Sequence, residues 1–239
     1  MRPLKSTPGR KLRLNWLLTV GIAALALGAC SGPPPAPEAA EAARRPNIVF
    51  ILADDLGWSD IGAFGGEIPT PNLDALASAG MLLTNFYANS SCAPTRSQLM
   101  SGMDAHLVGY GAGAAPRDGP AAGAPGYEGR LNDRIATMPE LLRDAGYHTY
   151  MAGKWHLGRT VETSAWARGF ERSFTSMDGA AHLGNLSWGG PGLAPYREDD
   201  GEIINVDENY YSTRTYTEKM IEYIETNAKP GQTRTRGRG

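Results

Sequence analysis

The sequence predicts an α/β protein with a mostly parallel sheet that is flanked by helices on both faces. Two observations predict this class. Apolar runs of strand length alternate with helical patterns, and three of these segments are followed by polar residues that could serve chemistry. In open sheets of this class, ligands bind beyond the carboxyl ends of the strands. The ends of the predicted strands are therefore the first place to look for function.

Composition sets the broad class. The chain has 239 residues, of which 41% are hydrophobic and 20% are charged, and its formal net charge is -2. These values are typical of a globular protein with one sizeable core. They show no bias toward nucleic acid or an anionic membrane surface, so we expect no nucleic-acid partner.

The first 30 residues have the pattern of an export signal. Residues 1–13 contain five cations and no acid, and residues 14–30 are apolar almost throughout and end at Cys30. This order predicts a secretory signal peptide, and the apolar stretch is too short for a comfortable membrane span. Leu27-Gly28-Ala29-Cys30 resembles a bacterial lipobox, which predicts an exported periplasmic or outer-membrane lipoprotein anchored only through Cys30. An ordinary signal peptide cut after small residues is the alternative.

Residues 31–45 are rich in Pro, Ala and Glu and predict an unpacked linker. The folded domain is predicted to begin at residue 46. Residues 48–53 are a continuous apolar, β-branched run, which is typical of a central strand buried on both faces. Asp54 and Asp55 end this run.

The next segments alternate between helix and strand. "TPNLDALASAG" predicts a helix that is capped by Thr70, begins at Pro71, ends at Gly80 and packs through positions 73, 76 and 77. Residues 81–88 predict a second strand. A helix is then expected from the Cys92 turn to about Gly102.

The second half continues the alternation after a loop. Residues 109–129 are rich in Gly, Ala and Pro and predict a surface loop. Thr137 and Glu140 form a capping-box pattern for a helix that stops at Gly146. "YHTYMAGKWHLG" predicts another strand and its exit loop, and residues 215–227 predict a last helix with Tyr216, Met220, Ile221 and Ile224 on one side.

Cys92 is the only cysteine outside the predicted signal peptide. It therefore has no partner for a disulfide within the exported chain. A leftover cysteine in a secreted protein indicates intermolecular pairing or a reactive group, whereas a buried inert thiol is the plainer alternative.

Polar residues at the predicted strand ends suggest one pocket. Asp54 and Asp55 are oxygen ligands that suit Ca²⁺ or Mg²⁺. The side chains of Arg96, Lys154 and His156 would form an anion site beside them. A metal, cations and a nucleophile are the machinery that cleaves esters of sulfate or phosphate.

Each of these features also has an ordinary explanation. Two aspartates after a strand can cap a helix or form a turn, and Lys154 and His156 can belong to a plain strand exit. The guanidinium of Arg96 can simply pair with a nearby acid. His182, in a Gly/Ala-rich stretch, is a further candidate whose setting instead suggests a loop at the mouth of the site.

Cys92-Ala93-Pro94-Thr95-Arg96 resembles the C-x-P-x-R signature of the type I sulfatases. "PNIVFILADDLGWSDIG", "TPNLDALASAG" and "GYHTYMAGKWHLG" are similar to segments of the same family, and the likeness extends over residues 46–227. It implies the N-terminal part of an alkaline-phosphatase-like catalytic domain. Residues 228–239 form a basic, Gly-rich tail without family character. Thr95 stands where Ser is commoner.

The resemblance also implies roles for the candidate residues. A maturation enzyme would oxidise Cys92 to formylglycine, whose hydrate is the nucleophile toward a small-molecule or carbohydrate sulfate ester. Asp54, Asp55 and an oxygen of the modified Cys92 would bind Ca²⁺, with Mg²⁺ as the other option. Arg96 would hold the hydrate, Lys154 would contact the sulfate, and His156 would orient or deprotonate the second hydroxyl.

Three other functional outcomes stay open at this point. Relatives with the same nucleophile cleave phosphonates or phosphodiesters. The family segments expected after the last helix, including a second histidine, an Asp-Asn pair and another lysine, are not recognisable here. We therefore also expect that the chain could be an incomplete, weakly active or inactive piece of a sulfatase, or a non-catalytic lipoprotein fragment.

Overall fold

The computed structural model describes residues 45–177, 196–201, 203–204, 206 and 209–228. The predicted signal peptide, the linker up to residue 44, His182 and the tail from residue 229 lie outside these ranges. The chain divides into two compact units, Met1–Ala53 and Asp54–Gly239.

The sheet has four described strands in the order β1-β2-β3-β4. Their ranges are β1, Tyr150–Lys154; β2, Arg172–Ser176; β3, Tyr196–Glu198; and β4, Ile203–Ile204. Strands β1 and β2 are parallel, whereas the β2–β3 and β3–β4 pairs are antiparallel. The α/β class is confirmed, and the described part of the sheet is mixed.

Five α-helices belong to the second unit within the described ranges. They are α1, Pro71–Ala79; α2, Cys92–Ser101; α3, Ala105–Val108; α4, Met138–Asp144; and α5, Ser212–Ala228. The predicted capping box of α4 is confirmed. The Thr137 N–H donates to Glu140 Oε2 at 2.6 Å, and the Glu140 N–H donates to Thr137 Oγ1 at 3.4 Å. None of the described helices has the length and apolar character needed to cross a membrane.

The main core lies around α2, α3 and the exit of β1. Its buried hydrophobic residues are Ala93, Ala105, Val108, Tyr110, Leu131, Ile135, Trp155, Leu157, Ala165, Phe170 and Met177. Trp155 is its largest member, with only 1% of its surface exposed. Because Trp155 immediately follows β1, the core anchors the segment that carries Lys154 and His156.

A second, aromatic cluster joins α5 to the sheet. Phe174 on β2, Tyr196 on β3 and Tyr223 on α5 are buried together. The prediction for the last helix is partly confirmed, because Tyr216 packs against this cluster. It is wrong for Ile221 and Ile224, which are both 48% exposed, and it missed Tyr223, which is buried against the sheet. A tyrosine ring buries a large apolar area, which favours the face of the helix that carries Tyr223.

Two predicted strands are not formed. Residues 48–53, in the first unit, have no regular structure, and Ile51 is 75% exposed. Residues 81–88, in the second unit, are also irregular, and Tyr87 is 84% exposed. A strand is stable only with a neighbour that shares its ladder of hydrogen bonds, and neither segment pairs with a described strand.

Helix α1 forms where predicted, but its apolar face is not buried. Leu73 and Leu76 are 40% and 64% exposed. Instead, the helix is fixed through polar contacts at its start. Asp74 Oδ1 accepts from the Ala63 N–H at 2.8 Å and from the Thr70 hydroxyl at 2.8 Å, so Asp74 is a structural residue.

Candidate active site

Cys92 is the first residue of α2. Ser91 precedes the helix in an extended conformation, and Pro94 lies in the first turn, where a missing N–H costs nothing. Gly102 ends the helix in the left-handed conformation, and its N–H donates to the Gln98 carbonyl. The sequence therefore places the Cys92 side chain at the positive end of a ten-residue helix.

Strand β1 delivers the second group of polar residues. Lys154 is its last residue, and the Trp155 N–H continues the pairing by donating to the Ser176 carbonyl at 2.8 Å. His156 then turns away with a left-handed φ of 57°. The chain changes direction at this point, so Lys154 and His156 project beyond the carboxyl end of the strand.

Asp54 joins the two groups through its two carboxylate oxygens. Oδ1 lies 3.0 Å from Arg96 Nη2, and Oδ2 lies 2.8 Å from Lys154 Nζ. Arg96 Nη1 also donates to the Lys154 carbonyl at 2.7 Å. Three residues that are far apart in sequence therefore form one buried and half-buried charge cluster.

The Asp54 carboxylate is held in its charged form. Its partial burial would by itself raise its pKa. The hydrogen bonds and positive charges of Lys154 and Arg96 together outweigh that effect and hold the pKa below its ordinary value. The cluster thus carries two cations and one anion at neutral pH, and its net positive charge favours an anionic ligand.

The Cys92 thiol faces the histidine. Cys92 Sγ lies 3.5 Å from His156 Nδ1, and Cys92 is a free, half-buried cysteine. Contact between a nucleophile and an imidazole at hydrogen-bond distance is the usual arrangement for proton transfer. The structure therefore brings together Asp54, Arg96 and Lys154 on one side and Cys92 and His156 on the other.

Asp55 behaves differently from Asp54. It is exposed, its φ is 56°, and no hydrogen bond or ion pair to it is found within the described ranges. The two adjacent aspartates are therefore not equivalent. Asp54 is bound to the protein's own cations, whereas the Asp55 carboxylate is accessible to solvent.

The predicted metal ligands do not form a complete metal site. Among the residues that the structure describes, no group of three or more His, Cys, Asp or Glu side chains is arranged to hold a metal ion. Both oxygens of Asp54 contact Arg96 or Lys154. Ca²⁺ commonly takes six to eight oxygen ligands, so Asp54, Asp55 and Cys92 are too few.

Tyr110 is a residue of this site that the sequence analysis missed. Its hydroxyl donates to the His156 carbonyl at 2.9 Å, and its ring is buried in the main core. The bond therefore supports the backbone turn that aims His156. An aromatic residue inside the Gly-rich segment "GYGAG" was the signal that could have identified it.

A family model described as "Sulfatase" matches residues 46–232. An arylsulfatase of Klebsiella aerogenes is 42% identical over 193 residues, which cover 78% of this chain and 40% of that protein. An N-acetylgalactosamine-6-sulfatase of Canis lupus familiaris is 35% identical over 227 residues, covering 88% of this chain and 40% of that protein. The chain thus spans about two fifths of the length of these curated relatives.

A solved structure has a similar fold. It is the crystal structure of Ps i-CgsB in complex with k-i-k-neocarrahexaose, with a TM-score of 0.62 and 22% identity. The match covers 75% of this chain and 41% of that chain. At this level of identity the likeness supports the fold alone.

Proposed function

The chain belongs to the sulfatase family, and from that premise we propose that it cleaves sulfate monoesters at the site formed by Cys92, Arg96, Lys154 and His156. One observation carries the proposal: a cysteine at a helix N-terminus lies 3.5 Å from His156 Nδ1, beside a cationic cluster. A reactive group, a proton acceptor and an anion-binding charge are thus gathered where an oxyanion ester could react.

We propose that Cys92 is converted to formylglycine by a maturation enzyme. One hydroxyl of the hydrated aldehyde would attack sulfur and displace the alcohol or phenol of the ester, leaving sulfate bound to the modified residue. Loss of the proton from the second hydroxyl would then break the C–O bond to sulfate, release sulfate and restore the aldehyde. In the present structure, Cys92 Sγ stands in for the oxygens of that hydrate. Its contact with His156 therefore indicates which protein group those oxygens would meet.

The protein's own residues have separable roles in this proposal. Lys154 and Arg96 are already held side by side by Asp54, so they can stabilise negative charge on a bound sulfate group without reorganising. His156 Nδ1 would hold or accept a proton at the modified residue. Tyr110 would keep the His156 backbone in place.

A divalent cation is a further proposal, with Ca²⁺ the first choice and Mg²⁺ possible. Asp55 and an oxygen of the modified Cys92 would be protein donors, and Asp54 would join them by exchanging its contact with Arg96 or Lys154 for the cation. The exposed Asp55 carboxylate is the donor best placed to accept a cation. More oxygen ligands would be required than these three residues supply. Calorimetric titration of the full chain with CaCl₂ tests this, and Asp55→Asn should abolish any heat of binding.

The sulfatase function can be tested on the full chain produced with and without a formylglycine-installing enzyme. Peptide mass spectrometry across residues 89–102 should find an aldehyde at position 92 only in the matured protein. Hydrolysis of 4-nitrophenyl sulfate should follow that aldehyde and disappear in Cys92→Ala. The matched control, Thr95→Ser, keeps the signature intact and should retain both. A persistent thiol at position 92 after maturation would contradict the proposal.

The same assays distinguish sulfate esters from the alternative substrates, phosphodiesters and phosphonate esters. Arg96 and Lys154 would attract any tetrahedral oxyanion, so a phosphodiester or phosphonate ester could occupy the same site. Parallel measurements with bis(4-nitrophenyl) phosphate should give the lower kcat/KM if sulfate is the preferred group. The reverse order would favour the phosphodiester activity.

We also propose that the protein is exported and anchored through a lipid on Cys30. The support is the order of a basic segment, an apolar segment and a lipobox-like end in residues 1–30. Metabolic labelling with a fatty-acid analogue in a bacterial host should mark the wild-type chain and not Cys30→Ala. Equal labelling of both would contradict the lipid anchor.

A further inference from the structure

Arg96 contains a buried hydrogen-bond donor that the contacts described so far do not use. Its Nη1 and Nη2 atoms are bound to the Lys154 carbonyl and to Asp54. Its Nε atom is also buried, but no hydrogen-bond partner for it is found in the part of the chain that the structure describes. Buried N–H groups in folded proteins are almost always paired, because an unsatisfied donor is costly. A nearby acceptor is therefore expected.

The hydroxyl of Tyr216 on α5 is a second buried group of this kind. Its oxygen is buried and has no hydrogen-bond partner within the described ranges. The ring is held in the aromatic cluster, with its centroid 6.2 Å from that of Phe174 and 6.5 Å from that of Tyr196. A hydroxyl oxygen can accept a hydrogen bond from an arginine N–H. The two unsatisfied groups are thus chemically complementary.

The register of the sheet brings this aromatic cluster to the end of β1 that carries Lys154. Lys154 is paired with Ser176 on β2, which is paired with Tyr196 on β3. Directly paired residues on adjacent strands lie about 5 Å apart and direct their side chains to the same face. Arg96 binds the Lys154 carbonyl at one end of this row, and Tyr216 packs on the ring at the other end. The row therefore places both unsatisfied groups at the same edge of the sheet.

The charge of Arg96 acts on the Tyr216 hydroxyl. Burial raises the pKa of Tyr216, and the positive charge of Arg96 opposes that rise. Because the interaction between two charges weakens with distance, the guanidinium must lie close to the hydroxyl. This electrostatic effect agrees with the placement that follows from the strand register.

We propose that Tyr216 is a positioning residue for Arg96, because its hydroxyl oxygen accepts the Arg96 Nε–H, directly or through one water molecule. The inference rests on the proposed sulfatase function, in which Arg96 stabilises negative charge. With Nη1, Nη2 and Nε each bound, the guanidinium plane has one orientation, and its remaining N–H groups are aimed before an anion arrives. Tyr216 itself does not touch the reacting atoms.

Tyr216→Phe tests this role, because it removes only the hydroxyl and keeps the ring that packs on Phe174. Calorimetric titration of the full chain with Na₂SO₄ should show that the variant binds sulfate about fivefold more weakly than wild type, as expected for one lost hydrogen bond. The matched control is Tyr223→Phe, about two turns further along the same helix, which removes a hydroxyl bonded to Glu198 at 3.2 Å. This control should leave sulfate binding unchanged.

A double-mutant cycle shows whether Tyr216 acts through Arg96. Arg96→Lys keeps the positive charge but removes the Nε–H donor, so Tyr216→Phe should cause no further loss of sulfate affinity in that background. A general structural effect of Tyr216→Phe would weaken sulfate binding in both backgrounds.

Exchange of the Arg96 Nε–H with solvent gives a measurement that needs no ligand. Its ¹⁵N NMR signal can be assigned by its absence from Arg96→Lys. Tyr216→Phe should accelerate the exchange by about tenfold, because the hydrogen bond that protects this proton is lost. Tyr223→Phe should leave the exchange rate unchanged.

The outcomes separate the positioning role from the proposed function. Unchanged exchange in Tyr216→Phe, or the same loss of sulfate affinity in the wild-type and Arg96→Lys backgrounds, would overturn the positioning role. So would a wild-type chain that binds no sulfate. In those cases, hydrolysis of 4-nitrophenyl sulfate by the matured wild type would still support the proposed function. If the expected effects of Tyr216→Phe are found but the matured wild type hydrolyses no sulfate ester, the positioning role holds and the hydrolytic function is contradicted.

Discussion

Residues 56–88 and residues 92–177 differ in how they use their apolar side chains. The first stretch contains Trp58, Phe86 and several leucines, yet none of its residues is buried. The second stretch buries the whole main core. Its helices and strands contact one another, whereas α1 and the segment after it meet few partners among the described elements.

The comparison teaches that apolar content does not by itself make a core. The second stretch succeeds because distant segments converge: Leu131, Trp155 and Phe170 come from three separate parts of the sequence. In the first stretch, the leucines of α1 and the apolar run at 81–88 find no such opposing surface in the described ranges. Burial requires a partner as well as a hydrophobic side chain.

The largest expected loss of stability is at Trp155, and Trp58 is the comparison for it. Trp155→Ala removes a side chain that is 1% exposed, packs edge-to-face on Phe170 and donates to Thr163, so it should cost about 3–5 kcal/mol of unfolding free energy. Trp58→Ala, at a residue that is 54% exposed, should cost less than about 1 kcal/mol. Urea denaturation followed by circular dichroism measures both. Equal losses would break the comparison.

The next largest loss of unfolding free energy is expected at Asp54, at the start of the second unit. Asp54→Asn leaves the buried cations Arg96 and Lys154 without their carboxylate, and solvent access to Asp54 limits the loss to about 2 kcal/mol at pH 7. Asp55→Asn, its exposed neighbour, should change stability by less than about 0.5 kcal/mol.

The pH dependence of the Asp54 effect has a definite sign. Because the folded state lowers the pKa of Asp54, its stabilisation is present above the ordinary pKa and is lost as the pH falls through the lowered value. The difference between wild type and Asp54→Asn should therefore shrink below about pH 4. If the difference in unfolding free energy between the two proteins stayed constant from pH 7 to pH 3, the ion pairs of Asp54 would not be its cause.

A smaller effect is expected at the helix caps. Thr137→Ala removes the capping bond of α4 and the bond from its hydroxyl to the Arg168 carbonyl, and should cost about 1 kcal/mol or slightly more. Thr70→Ala should cost less, because the half-buried Thr70 hydroxyl bonds to Asp74 and to the Gly62 N–H but caps no backbone N–H of α1, whereas Thr137 is fully buried. Thermal denaturation of the two variants gives the order. A larger loss of stability in Thr70→Ala than in Thr137→Ala would contradict this prediction.

The smallest effect on stability is predicted for the exposed apolar run. Tyr87→Ser changes a side chain that is 84% exposed and should shift the unfolding free energy by less than about 0.5 kcal/mol. Self-association should fall, because exposed apolar segments promote intermolecular contact. Light scattering against protein concentration tests this. Unchanged scattering, or a large loss of stability, would indicate that Tyr87 is packed in solution.

Helix ends were predictable because their causes are local. The Thr137–Glu140 box and the glycine after α2 act within a few residues, and both appear where the sequence placed them. The strand β1 was also predicted, since it leads directly into the Lys154 exit. Strands β3 and β4 were not, because they are short, β3 depends on pairing with β2 across a long segment, and β4 pairs in turn with β3.

The candidate active site also contains features that the sequence predicted and features that it did not. The sequence analysis placed Asp54, Arg96 and Lys154 in one pocket, and the ion pairs of Asp54 bring these three side chains together, although the strand predicted before Asp54 is not formed. The different environments of Asp54 and Asp55 could not be predicted. The sequence does not show which of two adjacent aspartates has its side chain directed toward Arg96 and Lys154. The Tyr110 contact was also hidden, since it joins a loop to a main-chain carbonyl 46 positions away.

The left-handed turn at His156 has a consequence for how the imidazole is presented. A side chain other than glycine pays roughly 1 kcal/mol or more for such a backbone, so the turn persists only because its surroundings enforce it. Here the enforcement comes from the Tyr110 hydroxyl on one side and the anchored indole of Trp155 on the other. The ring is consequently aimed at Cys92 Sγ by the resting fold, and the proposed function would use that orientation without any rearrangement of the turn.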